Sequence, residues 1–351
     1  MDLLEVDDLA VSFADPKDPD SVAPIVKGVS FGIAPGEVFG LVGESGSGKS
    51  VTALSIMGLL DPRTARTAGS VRLQGEEILH GGGVDRSLRG ARMSMVFQEP
   101  MTALDPVFTI GSQLVETLRA HQQVSVREAR RRSVEMLDAV GIVDPAARFH
   151  AYPHELSGGM RQRVVIALAL ICGPELLIAD EPTTAVDATV QLQLLRLIRE
   201  ACTATGTAVL FITHDLGVVS QLCDRMATMY AGEIVETGAV GEVLSAPRHP
   251  YTAALLGALP LPSRRGHRLM SIPGRVPVPG TEPSGCWFAD RCAFVADECR
   301  TAHPPLQTAA EQADDRAARC IRVDAIADDL TALAHADSPA AVVGGLGKES
   351  R

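Results

Sequence analysis

Over roughly the first 240 residues, short runs of consecutive aliphatic residues alternate with longer stretches whose apolar positions recur at helical spacing. That alternation predicts an α/β domain built on a largely parallel sheet. Val38 to Val42 reads as a buried strand, Leu176 to Ala179 as a second and Ala208 to Thr213 as a third. A polar turn and a helical stretch follow each. Residues 110–150 break the alternation. Gln113 to Gln122 and Arg127 to Val140 both have helical spacing with no strand between them, which predicts a helical insertion. Arg161 to Ile171 reads as a further long helix. In the second of these helices Arg127, Arg130, Arg131 and Arg132 are interleaved with Glu128 and Glu135, the pattern of a solvated face. Six prolines fall between Pro260 and Pro283, with Gly266, Gly274 and Gly280 among them, marking an extended, loop-rich segment. The stretch from Ala334, with Ser338-Pro339 and Gly344-Gly345, reads as a disordered tail.

Composition narrows the class. The 351 residues are 46% hydrophobic and 21% charged, ordinary for a globular chain that buries a core. Lys plus Arg number 32 against 43 Asp plus Glu, a net charge of −11, which argues against sequence-blind nucleic-acid binding. Aromatics are 4%, so the core is expected to be aliphatic. The most apolar stretch, Val164 to Ala179, is interrupted by Gly173-Pro174-Glu175, whereas a membrane-spanning helix needs ~20 apolar residues. Asp2, Glu5, Asp7 and Asp8 stand where a signal peptide would carry positive charge, so a cytoplasmic location is expected.

Three segments carry chemistry. Gly43-Glu44-Ser45-Gly46-Ser47-Gly48-Lys49-Ser50 fits G-x-x-x-x-G-K-[ST] between a predicted strand and a helix. Its glycines let backbone N–H groups curl round a phosphate at the positive end of the helix dipole. Lys49 would reach the β- and γ-phosphates, and the Ser50 hydroxyl would hold Mg²⁺. Leu176 to Glu181 is an aliphatic strand ending in two carboxylates. Asp180 at its end suits Mg²⁺, and Glu181 can polarise a water for in-line attack on the γ-phosphate. Leu156-Ser157-Gly158-Gly159-Met160 precedes a long helix that Ser157 can cap, leaving the N–H groups near Gly158 and Gly159 open to an anion. Cys286, Cys292, Cys299 and Cys320 are spaced C-x5-C-x6-C-x20-C. On spacing alone they fit metal binding and free structural thiols equally.

Phosphate loop, Gln98, the Leu-Ser-Gly-Gly segment, the Asp-Glu strand, Asp187 and His214 occur in one succession. That succession resembles the ATP-binding subunit of ABC transporters. Gly43 to Ser50 matches the Walker A motif, Leu176 to Glu181 Walker B, Leu156 to Met160 the signature, and Gln98 the Q-loop. Asp187 matches the D-loop, and His214 in Thr213-His214-Asp215 matches the switch histidine. The resemblance sharpens to dipeptide and oligopeptide importers at Gln98-Glu99-Pro100-Met101-Thr102-Ala103-Leu104-Asp105-Pro106, at Tyr152 to Arg163 and at His249-Pro250-Tyr251-Thr252. Nickel-importer ATPases share many of these residues.

What the resemblance implies is specific. Residues 1–245 would be a P-loop ABC-type α/β ATPase domain with a helical subdomain over about 100–170. Residues 246–323 would be a loop-rich C-terminal cysteine module, and 324–351 a disordered tail. ATP would contact Gly43 to Ser50, Val51, Asp187 and, across a dimer, Ser157, Gly158 and Gly159. Phe13 either stacks on adenine or belongs to the core. Glu181, His214 and Gln98 would be catalytic, with Ser50, Gln98 and Asp180 at Mg²⁺. Cys286, Cys292, Cys299 and Cys320 would hold a [4Fe–4S] cluster that pins a segment with one Trp and two Phe. Expected partners are two transmembrane permeases, a second, paralogous ATPase and an extracytoplasmic peptide-binding protein, at the cytoplasmic face of the inner membrane. Gln98 to Pro106 would transmit closure to a permease, with Met101 and Leu104 as its apolar contacts. A soluble ABC ATPase of translation or DNA repair is the rival, but it usually has tandem domains or a long coiled coil. A metal- or redox-sensing regulator is a third reading.

Overall fold

The computed structural model describes residues 2–15, 18–81, 83–97, 103–182, 188–260, 270–308 and 316–335. Two long strands open the chain, β1 (Leu4–Asp15) and β2 (Asp18–Ile33), followed by β3 (Val38–Val42), helix α1 (Lys49–Ile56) and β4 (Ala65–Leu73). Three two-residue strands, β5 (Glu76–Glu77), β6 (Leu79–His80) and β7 (Gly83–Val84), lead to β8 (Met93–Val96). Helices α2 (Ile110–His121), α3 (Val126–Ala139), α4 (Pro145–Arg148) and α5 (Gly158–Leu170) come next, with no strand among the described residues between them. Then follow β9 (Leu176–Asp180), α6 (Ala188–Thr205), β10 (Ala208–Thr213), α7 (Leu216–Leu222), β11 (Arg225–Tyr230), β12 (Glu233–Ala239), α8 (Val240–Ser245) and α9 (Pro250–Gly257). The chain closes with the short β13 (Gln307–Thr308) and β14 (Ala317–Ala318) and with α10 (Ala327–His335).

An eight-stranded sheet in the order β13-β14-β12-β11-β3-β10-β9-β8 forms the centre, and its strands β11, β3, β10, β9 and β8 are parallel. β3, β9 and β10 are buried along their whole length, as unbroken apolar runs require when both faces of a parallel sheet are covered. Their side chains divide between two cores. Val38, Val42, Leu177, Ala179, Val209 and Phe211 face the helices, while Phe39, Leu41, Leu176, Ile178, Leu210 and Ile212 face α1 and a second sheet. That second sheet, in the order β2-β1-β4-β5, is antiparallel and adds to the parallel arrangement the pattern predicted. Leu4, Val6, Leu9 and Val11 alternate inward along β1, but register shifts near Leu9 interrupt the period that would announce a strand.

The helical insertion stands where expected. α2 begins at Ile110 because the Thr109 side chain accepts from the Ser112 N–H, and α3 begins at Val126 because Ser125 does the same for Glu128. On α3, Arg131 pairs with Glu128 and Glu135 at 2.6 Å each, a solvated face closed on itself.

The tail is a correction. Residues 327–335 form helix α10 where disorder was expected from 324 onward, because Leu330, Leu333 and Ala334 are buried in the helix-side core. Residues 336–351 lie outside the described residues, as do 261–269 of the proline-rich segment. Among the described residues, no helix is long and apolar enough to cross a membrane.

Candidate functional site

Register brings the chemistry to one edge. Val42 pairs with Thr213, and Ile212 with Asp180, so Gly43, Asp180-Glu181 and His214 emerge together at the carboxyl ends of neighbouring parallel strands. Ligands of open α/β sheets bind at that edge. Between β3 and α1 the loop packs hard against β11: a Cβ on Gly43 would stand 2.2 Å from the Met229 carbonyl oxygen. Gly48, at φ 106°, would meet the same methionine's Cε at 2.8 Å. Gly46, at φ 82°, faces open space. No side chain caps α1, so its first N–H groups remain free for an anion.

Lys49 is buried, and its Nζ donates to the carbonyls of Gly43 (2.8 Å) and Glu44 (2.9 Å). Burial pulls its pKa below the ordinary lysine value, against the attraction of Glu181, Asp180 and Glu44. Asp180 is buried at the end of β9, and burial raises its pKa while a hydrogen bond from the Ser50 hydroxyl opposes the rise. Its Oδ1 has no hydrogen-bond partner. An orphaned buried carboxylate oxygen beside a hydroxyl is the oxygen donor set that Mg²⁺ prefers, so these residues fit the ion. Glu181 takes a left-handed φ of 47°, its N–H donates to the Ile212 carbonyl at 2.9 Å, and its Oε1 lies 3.1 Å from His214 Nδ1.

Ser157 caps α5, accepting from the Met160 N–H at 3.3 Å, and a Cβ on Gly158 would meet nothing. The helix it starts is buried through Val164, Val165 and Ile166, so it is anchored while its capped N-terminus stands open at Gly158. It begins at Gly158, three residues before the predicted start, because the cap draws both glycines into its first turn. Phe13 is half-buried on β1, opposite Ala23 and Ala65, and packs on the second core. Gln98, Met101 and Asp187 lie outside the described residues. Leu104, expected to offer an apolar contact outward, turns inward instead and is 5% exposed in the helix-side core. Val107 and Phe108 just beyond it are 70% and 51% exposed.

The four C-terminal cysteines line one cavity of about 20 Å³, together with His249, Phe288 and Phe294. Burial pushes the Cys292 thiol up to about 12 and Cys320 to about 11. Among the described residues, no three His, Cys, Asp or Glu side chains are grouped closely enough to hold a metal ion. Nor is the module as poor in contacts as its composition predicted. Phe288 is buried against Tyr230 and Tyr251, with ring centroids 5.3 and 5.4 Å away. Trp287 stacks on His303 at 4.3 Å and carries Lys27 Nζ over its ring at 4.4 Å. β14 pairs with β12, joining the module to the central sheet.

One contact reaches the phosphate loop itself. Arg291, between Cys286 and Cys292, pairs through both terminal nitrogens with the Glu44 carboxylate at 2.7 and 3.0 Å. The Glu44 N–H donates to the Tyr251 hydroxyl at 2.9 Å. Glu44, grouped by motif with the nucleotide contacts, thus directs its side chain and amide toward the C-terminal module. Arg291, in the segment Gly285 to Cys292, and Tyr251 carry no sequence signal for these roles, because ion pairs between distant segments follow no spacing rule.

Comparison with known proteins agrees with this geometry. The family model for the ABC transporter matches residues 26–184, and that for the oligopeptide/dipeptide transporter C-terminal region matches residues 235–299. The chain is 50% identical over 329 residues to the oligopeptide transport ATP-binding protein OppD of Mycobacterium tuberculosis, covering 92% of this chain and 52% of that protein. It therefore spans about half the length of that relative. It is 48% identical over 308 residues to the oligopeptide transport ATP-binding protein AppD of Bacillus subtilis, covering 87% of this chain and 93% of AppD. Among solved structures it is similar to a bacterial ABC transporter cassette, MJ0796, solved as a dimer. There the identity is 26% and the TM-score 0.58, over 68% of this chain and 98% of that one.

Proposed function

The chain belongs to the ABC transporter family, and from that premise we propose that it is the ATP-hydrolysing subunit of a peptide importer. The observation that carries the reading is the convergence of Lys49, Asp180, Glu181 and His214 at the carboxyl ends of adjacent strands. The loop from Gly43 to Ser50, with Val51, cradles the phosphates of ATP, and Lys49 exchanges its carbonyl partners for phosphate oxygens. Ser50, Asp180 and Gln98 would hold Mg²⁺, which would supply charge neutralisation to the polyphosphate. Glu181 accepts a proton from the attacking water as its oxygen bonds to the γ-phosphorus and ADP departs. His214, hydrogen-bonded to Glu181, orients that carboxylate. Phe13, half-buried on β1, either stacks on the adenine or serves only the core it packs against.

Ser157, Gly158 and Gly159 serve the ATP held by a second, paralogous ATPase subunit, and Asp187 faces the same interface. The open space at Gly158, at the Ser157-capped N-terminus of α5, supports this role. Two transmembrane permeases engage the helical layer from the cytoplasmic face of the inner membrane, and an extracytoplasmic peptide-binding protein delivers cargo. The exposed Val107 and Phe108 support such docking. The domain division is 1–245 for the ATPase and 246–323 for the C-terminal module. Cys286, Cys292, Cys299 and Cys320 are assigned to a [4Fe–4S] cluster. Their shared cavity supports this, although the sulfurs must move closer together to become ligands.

Reconstitution with the two permeases, the second ATPase and the binding protein in proteoliposomes tests the function. ATP-driven uptake of a labelled oligopeptide is expected. Uptake of Ni²⁺ with no peptide transport would overturn the peptide reading, and hydrolysis indifferent to the permeases would overturn the importer.

A further inference from the structure

We propose that Arg291 is a positioning residue for the ATP site, holding the first turn of the phosphate loop through Glu44. The inference rests on the reading of Gly43–Ser50 as that site. Glu44 is fixed at three points. Its carboxylate accepts from both terminal nitrogens of Arg291, its N–H donates to Tyr251, and its carbonyl accepts from Lys49 Nζ at 2.9 Å. Two of these partners come from the C-terminal part of the chain, and the third is the lysine that meets phosphate.

Arg291 is itself held. It is 8% exposed, its Nε donates to the Pro273 carbonyl at 2.8 Å, and its guanidinium lies 5.6 Å from the Tyr230 ring and 5.9 Å from the Phe288 ring. A planar fork fixed in this way presents its two donors to a carboxylate in one orientation only. A continuous path therefore runs from the Pro273 carbonyl through Arg291 and Glu44 to Lys49.

The pair has an electrostatic task as well. Glu44 puts a negative charge beside the lysine that must receive phosphate oxygens. Arg291, 6% exposed in its side chain, neutralises that half-buried charge. Without the guanidinium, the loop keeps an uncompensated carboxylate that repels the polyphosphate, and Lys49 loses a fixed carbonyl partner. ATP binding should suffer, while the hydrolytic groups Asp180, Glu181 and His214 stay in place.

The test measures the Kd for a fluorescent ATP analogue on the full chain, and kcat at saturating ATP in the assembled transporter. Arg291→Gln should weaken binding by ~10- to 100-fold, the worth of a bidentate charged hydrogen bond, with kcat within about twofold. Glu44→Gln in the same chain should recover most of the affinity, because the repelling charge is gone. A purely structural arginine would instead lower the melting temperature, and the second substitution would not restore binding. Unchanged Kd in folded Arg291→Gln protein, or a loss that the double variant does not recover, overturns the proposal. Should Arg291→Gln fail to fold, Arg291→Lys replaces it. That variant keeps the charge but not the fork, and should weaken binding by roughly 3- to 10-fold, whereas wild-type affinity overturns the proposal. Lys49→Ala separates the two readings. If it binds the analogue as wild type does, the loop is not the ATP site. If it loses binding while Arg291→Gln retains it, only the positioning role fails.

Discussion

Glu181 occupies a backbone conformation that residues other than glycine rarely adopt, and it does so one residue beyond the buried Asp180. A left-handed φ of 47° costs on the order of 1–3 kcal/mol and persists only where the surroundings impose it. Here the N–H bond to the Ile212 carbonyl and the contact with His214 hold the residue. Glu181→Gln keeps the size and the hydrogen-bonding contact with His214 but removes the base. ATP affinity should be retained while turnover in the assembled transporter falls by ~10²–10⁴. Wild-type turnover would refute the assignment. Gly43 to Ser50 and Leu176 to Glu181 were legible because each is contiguous: the residues that shape the loop or strand also carry its chemistry. Glu44 shows the limit. Its place in the motif was plain, but its carboxylate answers to an arginine 247 positions away.

Among the elements, the central strands β3, β9 and β10 were legible as short aliphatic runs, since a strand buried on both faces has no polar side to confuse the pattern. The antiparallel sheet was not. Pro24, Gly28 and Gly32 in β2 read as breakers, and the register shifts in β1 spoil the alternation on which recognition depends. Helix α10 escaped for another reason. Nine residues are too few to form a stable helix alone, so its existence depends on packing that local sequence does not express. Leu330 is wholly buried in that packing. Leu330→Ala should therefore destabilise the protein by about 2–5 kcal/mol in thermal or denaturant melts. A loss under about half a kcal/mol would mean that α10 is only loosely applied to the core.

At the scale of the whole molecule, the C-terminal module is built into the α/β domain rather than hung from it. Phe288 enters an aromatic cluster with Tyr230 and Tyr251, β14 extends the central sheet, and Lys27 bridges to Trp287 and Glu282. These contacts hold the module whatever occupies the cysteine cavity. Cys292→Ser should therefore open the segment around Cys299 to proteases without freeing the module. Protein purified without oxygen should be brown, with about four irons per chain, and the same substitution should bleach it. Colourless anaerobic protein with one zinc per chain would refute the iron–sulfur assignment.

The clasp between Arg291 and Glu44 also orders events in time. The phosphate loop leaves the ribosome early, yet its partner follows 247 residues later. At ordinary elongation rates of about 5–20 residues per second, that gap lasts roughly ten to fifty seconds. Throughout the interval the nascent chain has a complete nucleotide motif but lacks the guanidinium that fixes it. If Arg291 serves the loop as proposed, a chain truncated before residue 291 would carry the phosphate loop without its clasp and should bind ATP weakly.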